Sequence, residues 1–291
     1  MPERIFSAAK KDLGEGFVVR RSIPRIGCKH IGPFVFWDHM GPVDIKSLED
    51  LVVRPHPHIG LATMTWLFDG AILHRDSLAN EITIKPGAIN WMTAGSGITH
   101  SERSAELGPL EAIQLWIALP KDKEDIDPSF EHYKAEEIPE LDIDGQRFTL
   151  IAGSFLEKSS PVAVYSPLVY LASEFSSSKR IKIPLDSSWE YGIYLTRGSL
   201  KTEESELKTD HFLYLSEQSE VVLDVSAGTN LLIFGGAPLD QEIHLWWNLV
   251  SSDPKKIHVG AERWRHDSFP KVPGETTRIP YPENRPLPKI H

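Results

Sequence analysis

The sequence predicts an all-β protein built as two tandem barrels. Short apolar segments recur between turn residues along the 291-residue chain, and such regular spacing is typical of β-sandwiches and barrels. The second half repeats the pattern of the first, with Trp66–Gly70 (WLFDG) resembling Tyr194–Gly198 (YLTRG). The length suffices for two ordinary domains. We therefore expect an N-terminal domain over residues 1–135 and a C-terminal domain over residues 136–291.

The first half consists of segments rich in β-branched and aromatic residues, separated by turns that contain glycine or proline. A glycine-rich turn begins the first strand, Gly41-Pro42 ends the second, and residues 43–53 are predicted to form a loop. Asp69-Gly70 predicts a hairpin. The expected strands cover residues 14–23, 34–40, 62–68, 71–75, 81–85, 89–92 and 112–119.

The stretch between the two halves, residues 120–142, is rich in Lys, Asp, Glu and Pro. A charged run of this kind is usually a solvated surface, so we interpret it as the connection between the domains. Seven strands are expected after it, over residues 148–152, 162–171, 178–183, 190–196, 211–215, 221–225 and 230–234.

A short helix is expected near the C-terminus. Asp253 is a suitable N-cap, and Pro254 suits the first helical position. Ile257, Ala261 and Trp264 follow at i, i+4 and i+7, which places them on one helix face. The proline-rich residues after this helix are predicted to wrap over the surface.

Composition argues against several classes of function. The formal net charge of −10 disfavours a general nucleic-acid-binding surface, although it leaves open a partner protein that binds nucleic acid. The single cysteine, Cys28, cannot form an intramolecular disulfide, and we interpret it as incidental rather than as a nucleophile. The N-terminal residues contain no apolar signal segment, and no apolar run is long enough to span a bilayer. We expect a cytoplasmic protein, or a nuclear one in a eukaryote, without membrane contact.

Two short segments, RPHPHIG and GITHSE, carry the strongest chemical signal. In an extended strand, residues i and i+2 point to the same face. His56 and His58 therefore project together, and so do His100 and Glu102. If the two strands face one another, three imidazoles and one carboxylate converge. Such a set suits a divalent first-row transition metal with one or two coordination positions left open.

The prolines in the first segment restrict where this strand can lie. Neither Pro55 nor Pro57 has a backbone N–H, so both lose a donor on the same side of the strand. That side must face a sheet edge, a strand start or solvent. The mouth of a barrel meets this condition, and barrel mouths commonly hold small-molecule sites.

Each histidine also has an ordinary interpretation. A lone histidine on a strand is more often a hydrogen-bonded or surface residue than a ligand, and H-x-H alone is a weak signal. His211 and His244 are isolated in the second half, so we expect a C-terminal barrel without metal ligands. His74 and Asp76 are candidates to support a metal ligand or to handle a proton, with a surface hairpin position as the alternative.

Several motifs together resemble the pirin family of the cupin superfamily: HPHIG from His56, HRDS from His74, WMTAGSGITHSE from Trp91, and GPL with QLW from Gly108. The resemblance implies two cupin barrels, double-stranded β-helices of the jelly-roll type, arranged in tandem. It implies one metal in the N-terminal barrel, most commonly Fe(II), although Mn, Ni, Co, Cu or Zn occupy such sites. The family's ligands fall on His56, His58, His100 and Glu102, which would act in catalysis through the metal.

The resemblance also implies a function. Some members act as quercetin 2,3-dioxygenases, which open a flavonol ring with dioxygen and release carbon monoxide. Others act as iron-dependent transcription co-regulators. The expected partners are therefore a small, chelating aromatic substrate and dioxygen, or alternatively a regulatory protein. A metal-free structural role is the third possibility. Phe36, Trp66, Trp91 and Met92 are candidates to line an aromatic pocket, with the barrel core as their alternative position.

One residue departs from the family pattern. The family commonly has a glutamate four residues after the second histidine of H-x-H, and this chain has Ala62 there. The carboxylate ligand must then come from Glu102, and acid or base assistance from position 62 is absent.

Overall fold

The computed structural model describes residues 3–12 and 17–290. The regular secondary structure of this part of the chain is almost entirely β-strand, with one α-helix, α1 (Pro254–Arg265), and a 3-10 turn at Ala135–Glu137. The strands of the first half are β1 (Glu3–Ser7), β2 (Ala9–Asp12), β3 (Val18–Ile23), β4 (Phe34–Ile45), β5 (Val52–His58), β6 (Leu61–Asp69), β7 (Ile72–Asp76), β8 (Glu81–Ile84), β9 (Ile89–Thr93), β10 (Ile98–Ser104), β11 (Gly108–Ala118) and β12 (Ser129–Tyr133). Those that follow are β13 (Glu140–Ile143), β14 (Gln146–Phe155), β15 (Lys158–Ser159), β16 (Leu168–Phe175), β17 (Lys179–Pro184), β18 (Glu190–Arg197), β19 (Ser199–Lys201), β20 (Glu206–Lys208), β21 (His211–Ser216), β22 (Glu220–Val225), β23 (Thr229–Gly236), β24 (His244–Trp246) and β25 (Leu249–Ser251).

These elements form two cupin barrels, each within its own compact unit. The N-terminal cupin unit contains Met40–Tyr133, residues 240–290, and the described residues among 12–18. The C-terminal cupin unit contains residues 3–11, Val19–His39 and Lys134–Leu239. The change between units at residues 133 and 134 lies close to the expected division, but each unit also includes a segment from the other end of the chain. The domain ranges 1–135 and 136–291 stay a prediction.

The N-terminal cupin unit contains a four-stranded sheet of order β5-β10-β7-β8. A seven-stranded sheet has the order β12-β9-β6-β11-β4-β3-β2. Strand β4 is divided between units, with Phe34–His39 assigned to the C-terminal unit and Met40–Ile45 to the N-terminal one. Strand β6 is apolar or β-branched at nearly every position, as expected for a strand that is buried along both faces.

The C-terminal cupin unit is filled by its own apolar side chains. Its sheets have the orders β1-β21-β18-β23-β16-β14-β13, with β15 on β14, and β17-β22-β19-β20. Strand β17 alternates exposed and buried residues, which is the pattern of a strand with one solvated face. Its buried Ile181 and Ile183 point into a core that also contains Phe148, Leu171, Leu195, Leu213, Leu223 and Ile233.

Two predicted strand boundaries are wrong. Strand β4 does not end at Gly41-Pro42 but continues to Ile45, because Gly41 adopts φ +73° where a Cβ would lie 2.1 Å from the Leu110 carbonyl oxygen. The glycine thus permits a bend within a continuous strand. Residues 162–167 precede β16 instead of belonging to it. The glycine-rich turn at residues 14–16 lies outside the described residues.

The charged connection is also more ordered than predicted. Residues 129–133 form β12, which pairs antiparallel with β9, matching Phe130 with Met92 and His132 with Asn90. Most of the charged residues around it, such as Asp127, Lys134 and Glu136, are exposed, and this composition hid the strand.

The C-terminal helix forms as predicted. The Asp253 side chain caps it by accepting a hydrogen bond from the Lys255 backbone N–H. Ile257, Ala261 and Trp264 are buried on one face, as the spacing indicated. Among the helices of the described residues, none is long and apolar enough to cross a membrane.

Candidate metal centre

Strand β5 lies at the edge of its four-stranded sheet, which is one of the three positions that Pro55 and Pro57 allow. It pairs antiparallel with β10, matching His58 with Ile98 and His56 with His100. This pairing brings the H-x-H and H-x-E segments side by side, so the expected convergence of the two strands is observed.

A β-bulge lies beside the histidines. His100 pairs with His56, but Glu102 pairs with Val53, so Arg54 and Pro55 together lie opposite the single residue Ser101. A bulge bends its strand and changes the direction of neighbouring side chains. The relative orientation of His100 and Glu102 against β5 therefore depends on this irregularity.

Three imidazoles converge on the inner side of these strands. One nitrogen of each of His56, His58 and His100 lies within 4.8 Å of the others. Their ring centroids are 4.4 to 5.0 Å apart. The Nε2 atoms of His58 and His100 are 3.1 Å apart. The three side chains are buried, which is unusual for histidines without a shared ligand or partner.

Backbone carbonyls orient two of the rings. His56 donates its Nδ1–H to the Arg54 carbonyl at 2.9 Å, and His58 donates its Nδ1–H to the Asn248 carbonyl at 2.9 Å. A carbonyl oxygen can only accept, so the proton must be on Nδ1 in each ring. The Nε2 lone pair is then available to a cation, which is the usual arrangement of metal-bound histidine.

Burial keeps these rings neutral. It lowers the pKa of His56 to about 4, against a smaller opposing effect of the Arg54 carbonyl. Burial also lowers the pKa of His58 and of His100 well below the ordinary value, and neighbouring imidazoles add to the effect. Neutral imidazole is the form that binds metals.

Glu102 belongs to a second group that shares one histidine with the first. Its carboxylate lies within 4.8 Å of a nitrogen of His74 and of His100. Burial raises the pKa of Glu102, while His74 and a hydrogen bond from Thr65 oppose the rise. The structure thus places Glu102 beside His100 and adds His74 to the immediate surroundings.

His74 and Asp76 are buried and are not part of an exposed hairpin. His74 Nε2 lies 3.1 Å from Asp76 Oδ2, and the Nδ1 atoms of His74 and His100 are 3.5 Å apart. Asp76 also accepts hydrogen bonds from the backbone N–H groups of Leu78 and Asn80 and from the Asn80 amide. Burial opposes ionisation of Asp76, but the hydrogen bonds from His74 and Asn80 outweigh it and lower its pKa.

The Asp76 carboxylate therefore determines which ring nitrogen carries the proton in His74 and, through His74, in His100. It accepts from His74 Nε2–H, which leaves His74 Nδ1 as an acceptor facing His100. His100 then donates from Nδ1 and presents its Nε2 lone pair to His58 and His56. A carboxylate that orients a ligand histidine is common around metals, and here one imidazole lies between the two.

Two aromatic residues that the sequence analysis did not assign to the site contact these histidines. Trp116 packs edge-on against His58 with centroids 5.0 Å apart, and Phe130 stacks on His74 at 4.4 Å. Trp116 lies in the QLW motif, where alternation with Gln114 was an available signal. Phe130 lies in the charged segment, where composition concealed it.

The alternation of side chains between the two faces of a strand determines which of the predicted apolar residues face the site. Trp116 faces His58, and β11 pairs Trp116 with Thr63, so odd-numbered residues of β6 face the site. Trp66 therefore faces away, and so does Trp91, which pairs with Met64. Two of the pocket candidates are thus wrong.

Of the remaining two pocket candidates, one lies on the site face and the other does not. Met92 shares the site face, because it pairs with Phe130, which stacks on His74. Phe36 belongs to the C-terminal cupin unit, where the Arg21 guanidinium covers its ring at 4.3 Å.

The same parity places Ala62 on the face of β6 opposite to Thr65 and the site. A glutamate at this position of this chain would not reach the histidines without a local rearrangement. The absence of glutamate at position 62 therefore removes no group from the site itself, which differs from the expectation.

Two cupin barrels, one of them lined by a buried histidine cluster, define the chain as a bicupin. A family model described as Pirin matches residues 16–117, and one described as Pirin C-terminal cupin domain matches residues 170–270. The chain belongs to the pirin family.

Similar proteins agree with this assignment. A pirin-like protein of Caulobacter vibrioides is 38% identical over 272 residues, which cover 91% of this chain and 93% of that protein. A crystal structure of quercetin 2,3-dioxygenase from Acinetobacter baumannii has a TM-score of 0.93 at 35% identity, covering 100% of this chain and 97% of the other. The structure of an Escherichia coli pirin in complex with nickel(II) has a TM-score of 0.65 at 15% identity, covering 81% and 100%, and shows the shared fold alone.

Proposed function

We propose that this protein is a metal-dependent dioxygenase of the quercetin 2,3-dioxygenase type. Its substrate would be a flavonol or a similar chelating aromatic compound, and its second substrate would be dioxygen. The observation that carries the proposal is the convergence of three buried, neutral imidazoles, two of them with a proton held on Nδ1 by a backbone carbonyl. The likeness to the Acinetobacter baumannii enzyme supports the choice of reaction.

The geometry of the cluster fits a single cation. Two nitrogens bound at right angles to one metal, each at about 2.1 Å, lie about 3.0 Å apart. The His58 and His100 Nε2 atoms are separated by 3.1 Å. In this proposal His56, His58, His100 and Glu102 hold the metal, and His74 orients His100. Fe(II) is the proposed ion, with Mn, Ni, Co, Cu or Zn as alternatives that the same donors accept.

When bound, the metal would supply Lewis acidity and redox chemistry to a chelated aromatic hydroxyl and to dioxygen. The protein's residues would position the substrate and exclude water from it. Trp116 and Phe130 provide flat apolar surfaces beside His58 and His74, which suit an aromatic ring. Gln114 and Thr65, hydrogen-bonded to each other at 2.7 Å, provide polar groups on the same face of the barrel.

The test is quercetin consumption and carbon monoxide release by iron-loaded protein under air. We expect turnover by the wild type and a loss of at least about a hundredfold in His56→Ala, because one of the metal's protein ligands is gone. His266→Ala is the matched control, since His266 is an exposed histidine in the same unit. Equal turnover in His56→Ala and in the wild type would contradict the proposal. Stoichiometric metal binding without turnover of any flavonol would favour the metal-dependent co-regulator instead.

A further inference from the structure

The residues after α1 form an extended tail that is fixed to the N-terminal cupin unit at several points. Three side chains of that unit hydrogen-bond to tail carbonyls: Trp264 to Ile279 at 3.0 Å, Trp246 to Arg285 at 3.1 Å, and His258 to Pro288 at 2.8 Å. Nearly all of this tail lies beyond residue 270, where the second family model ends.

Glu275 is the buried carboxylate of this tail, with a side chain only 6% exposed. It accepts two hydrogen bonds from the Arg103 guanidinium, at 2.9 and 2.5 Å. It accepts a third from the Ser101 hydroxyl at 2.9 Å, and Arg75 lies at 4.0 Å. A paired, bidentate carboxylate in a buried position is held far more rigidly than a surface ion pair.

The partners of Glu275 alternate with the proposed metal ligands along β10. Ser101 and Arg103 project to the outer face of this strand, and His100 and Glu102 project to the inner face. The carboxylate of Glu275 thus contacts the outer face of residues 100–103, whose inner face carries two of the proposed ligands.

A second contact reaches the other side of the bulge. The backbone N–H of Ile279 donates to the Pro55 carbonyl at 2.9 Å. Pro55 is one of the two residues that lie opposite Ser101 in the irregular β5–β10 pairing. The tail is therefore attached to both strands at the point where their register changes.

We propose that the segment Glu275–Ile279 braces this bulge and so sets the geometry of the metal centre, with Glu275 as a positioning residue. This inference rests on the proposed metal-binding function. Without the carboxylate, β10 would lose the contacts that fix Ser101 against the Arg54-Pro55 bulge. The inner-face ligands would then be less well preorganised for a cation.

The test measures Co(II) binding to the full-length protein. Competition with a chromogenic chelator gives the dissociation constant, and the visible absorption of bound Co(II) reports ligand geometry. Glu275→Gln keeps the size of the side chain but removes its charge. We expect its dissociation constant to rise about tenfold, the lower end of the loss seen when groups that support metal ligands are removed. We also expect its Co(II) spectrum to shift.

Glu81→Gln is the matched control. It removes a carboxylate that pairs with Arg75 at 3.0 Å, but this carboxylate is 62% exposed and its partner lies on β7, not on β5 or β10. We expect wild-type binding and an unchanged spectrum. If Glu275→Gln fails to fold, Ser101→Ala removes one hydrogen bond and leaves the ion pair, and it should weaken binding in the same direction by a smaller factor.

The outcomes separate this inference from the proposed function. An unchanged dissociation constant and spectrum in Glu275→Gln, or in Ser101→Ala where that variant replaces it, would overturn the brace and leave the metal site standing. Lower thermal stability with unchanged Co(II) binding would mark the tail as a purely structural cover, and would also overturn it. A wild-type protein that binds no Co(II) would overturn both the function and the brace.

Discussion

The Nε2 atoms of His58 and His100 face each other across 3.1 Å in a buried part of the N-terminal cupin unit. Two lone pairs at this distance repel unless a proton or a cation lies between them, and burial disfavours the proton. Metal removal should therefore destabilise the protein. At a free metal concentration of 100 times the dissociation constant, binding contributes about 2.7 kcal/mol. We expect chelation to lower the unfolding temperature of the N-terminal unit by several degrees in scanning calorimetry. His100→Ala should show no such dependence on metal, and an equal shift in that variant would place the metal elsewhere.

The metal content should be one equivalent per chain. The interior of the C-terminal barrel is occupied by apolar side chains, and its His211 donates from Nδ1 to the Thr209 carbonyl instead of facing other ligands. Elemental analysis of the purified protein checks the ratio. His58→Ala should reduce it to nearly zero, and a full equivalent retained in that variant would contradict the assignment of the site.

Ala62→Glu should not add an acid or base to the site. Position 62 is fully buried on the face of β6 that points away from the histidines. A carboxylate there would be buried without a partner, at a cost on the order of 3–5 kcal/mol in the free energy of unfolding. Denaturant unfolding and quercetin turnover measure the two effects, and Ala62→Val controls for size. Increased turnover in Ala62→Glu would show that this face reaches the substrate after all.

Gly60→Ala should damage both stability and metal binding. Gly60 follows His58 by two residues, has φ +66°, and leaves room for no Cβ because the Val250 carbonyl oxygen would be 2.0 Å away. The backbone must shift, and we expect a loss of about 3 kcal/mol in unfolding free energy from strain and overpacking together. Gly228→Ala is the matched control, with φ +76° and no atom within 4 Å of the added Cβ. Equal losses in the two variants would show that the close contact at Gly60 contributes nothing.

Cys28 should be inert towards alkylation at neutral pH. Burial raises the pKa of its thiol to about 12, and Glu190 adds to the rise. The thiolate is the reactive form, so the folded protein should react with iodoacetamide more than a hundredfold more slowly than the urea-unfolded chain at pH 8. Between pH 7 and 9.5 the rate for the folded protein should climb steadily, because the folded pKa lies above this window. A plateau near pH 9 would indicate an accessible thiol with an ordinary pKa.

Local patterns were enough to predict the elements whose causes are local. Strand alternation alone predicts that His56 and His58 share a face, and the observed edge position of β5 is one of the three that the neighbouring prolines allow. Asp253 predicted the start of α1 because capping involves only neighbouring residues. The repeated short strands predicted two barrels because strand and turn signals also lie within short segments.

Other features had no local signal. Phe130 reaches His74 because β12 pairs with β9, although its segment has the composition of a solvated linker. The bulge opposite Ser101 arises only when two strands about 45 residues apart in sequence pair with each other, so the residues of either strand alone do not predict it.

The candidate ligands, the barrel class and the family could be predicted from the amino-acid sequence, because alternation and motif spacing are properties of short segments. Other relationships could be found only in the folded chain. They are the set of aromatic rings around the histidines, the direction of Ala62, and the contacts of Glu275 with Ser101 and Arg103. Those relationships depend on pairing register and on packing between segments far apart in sequence, and only the complete set of long-range contacts specifies them.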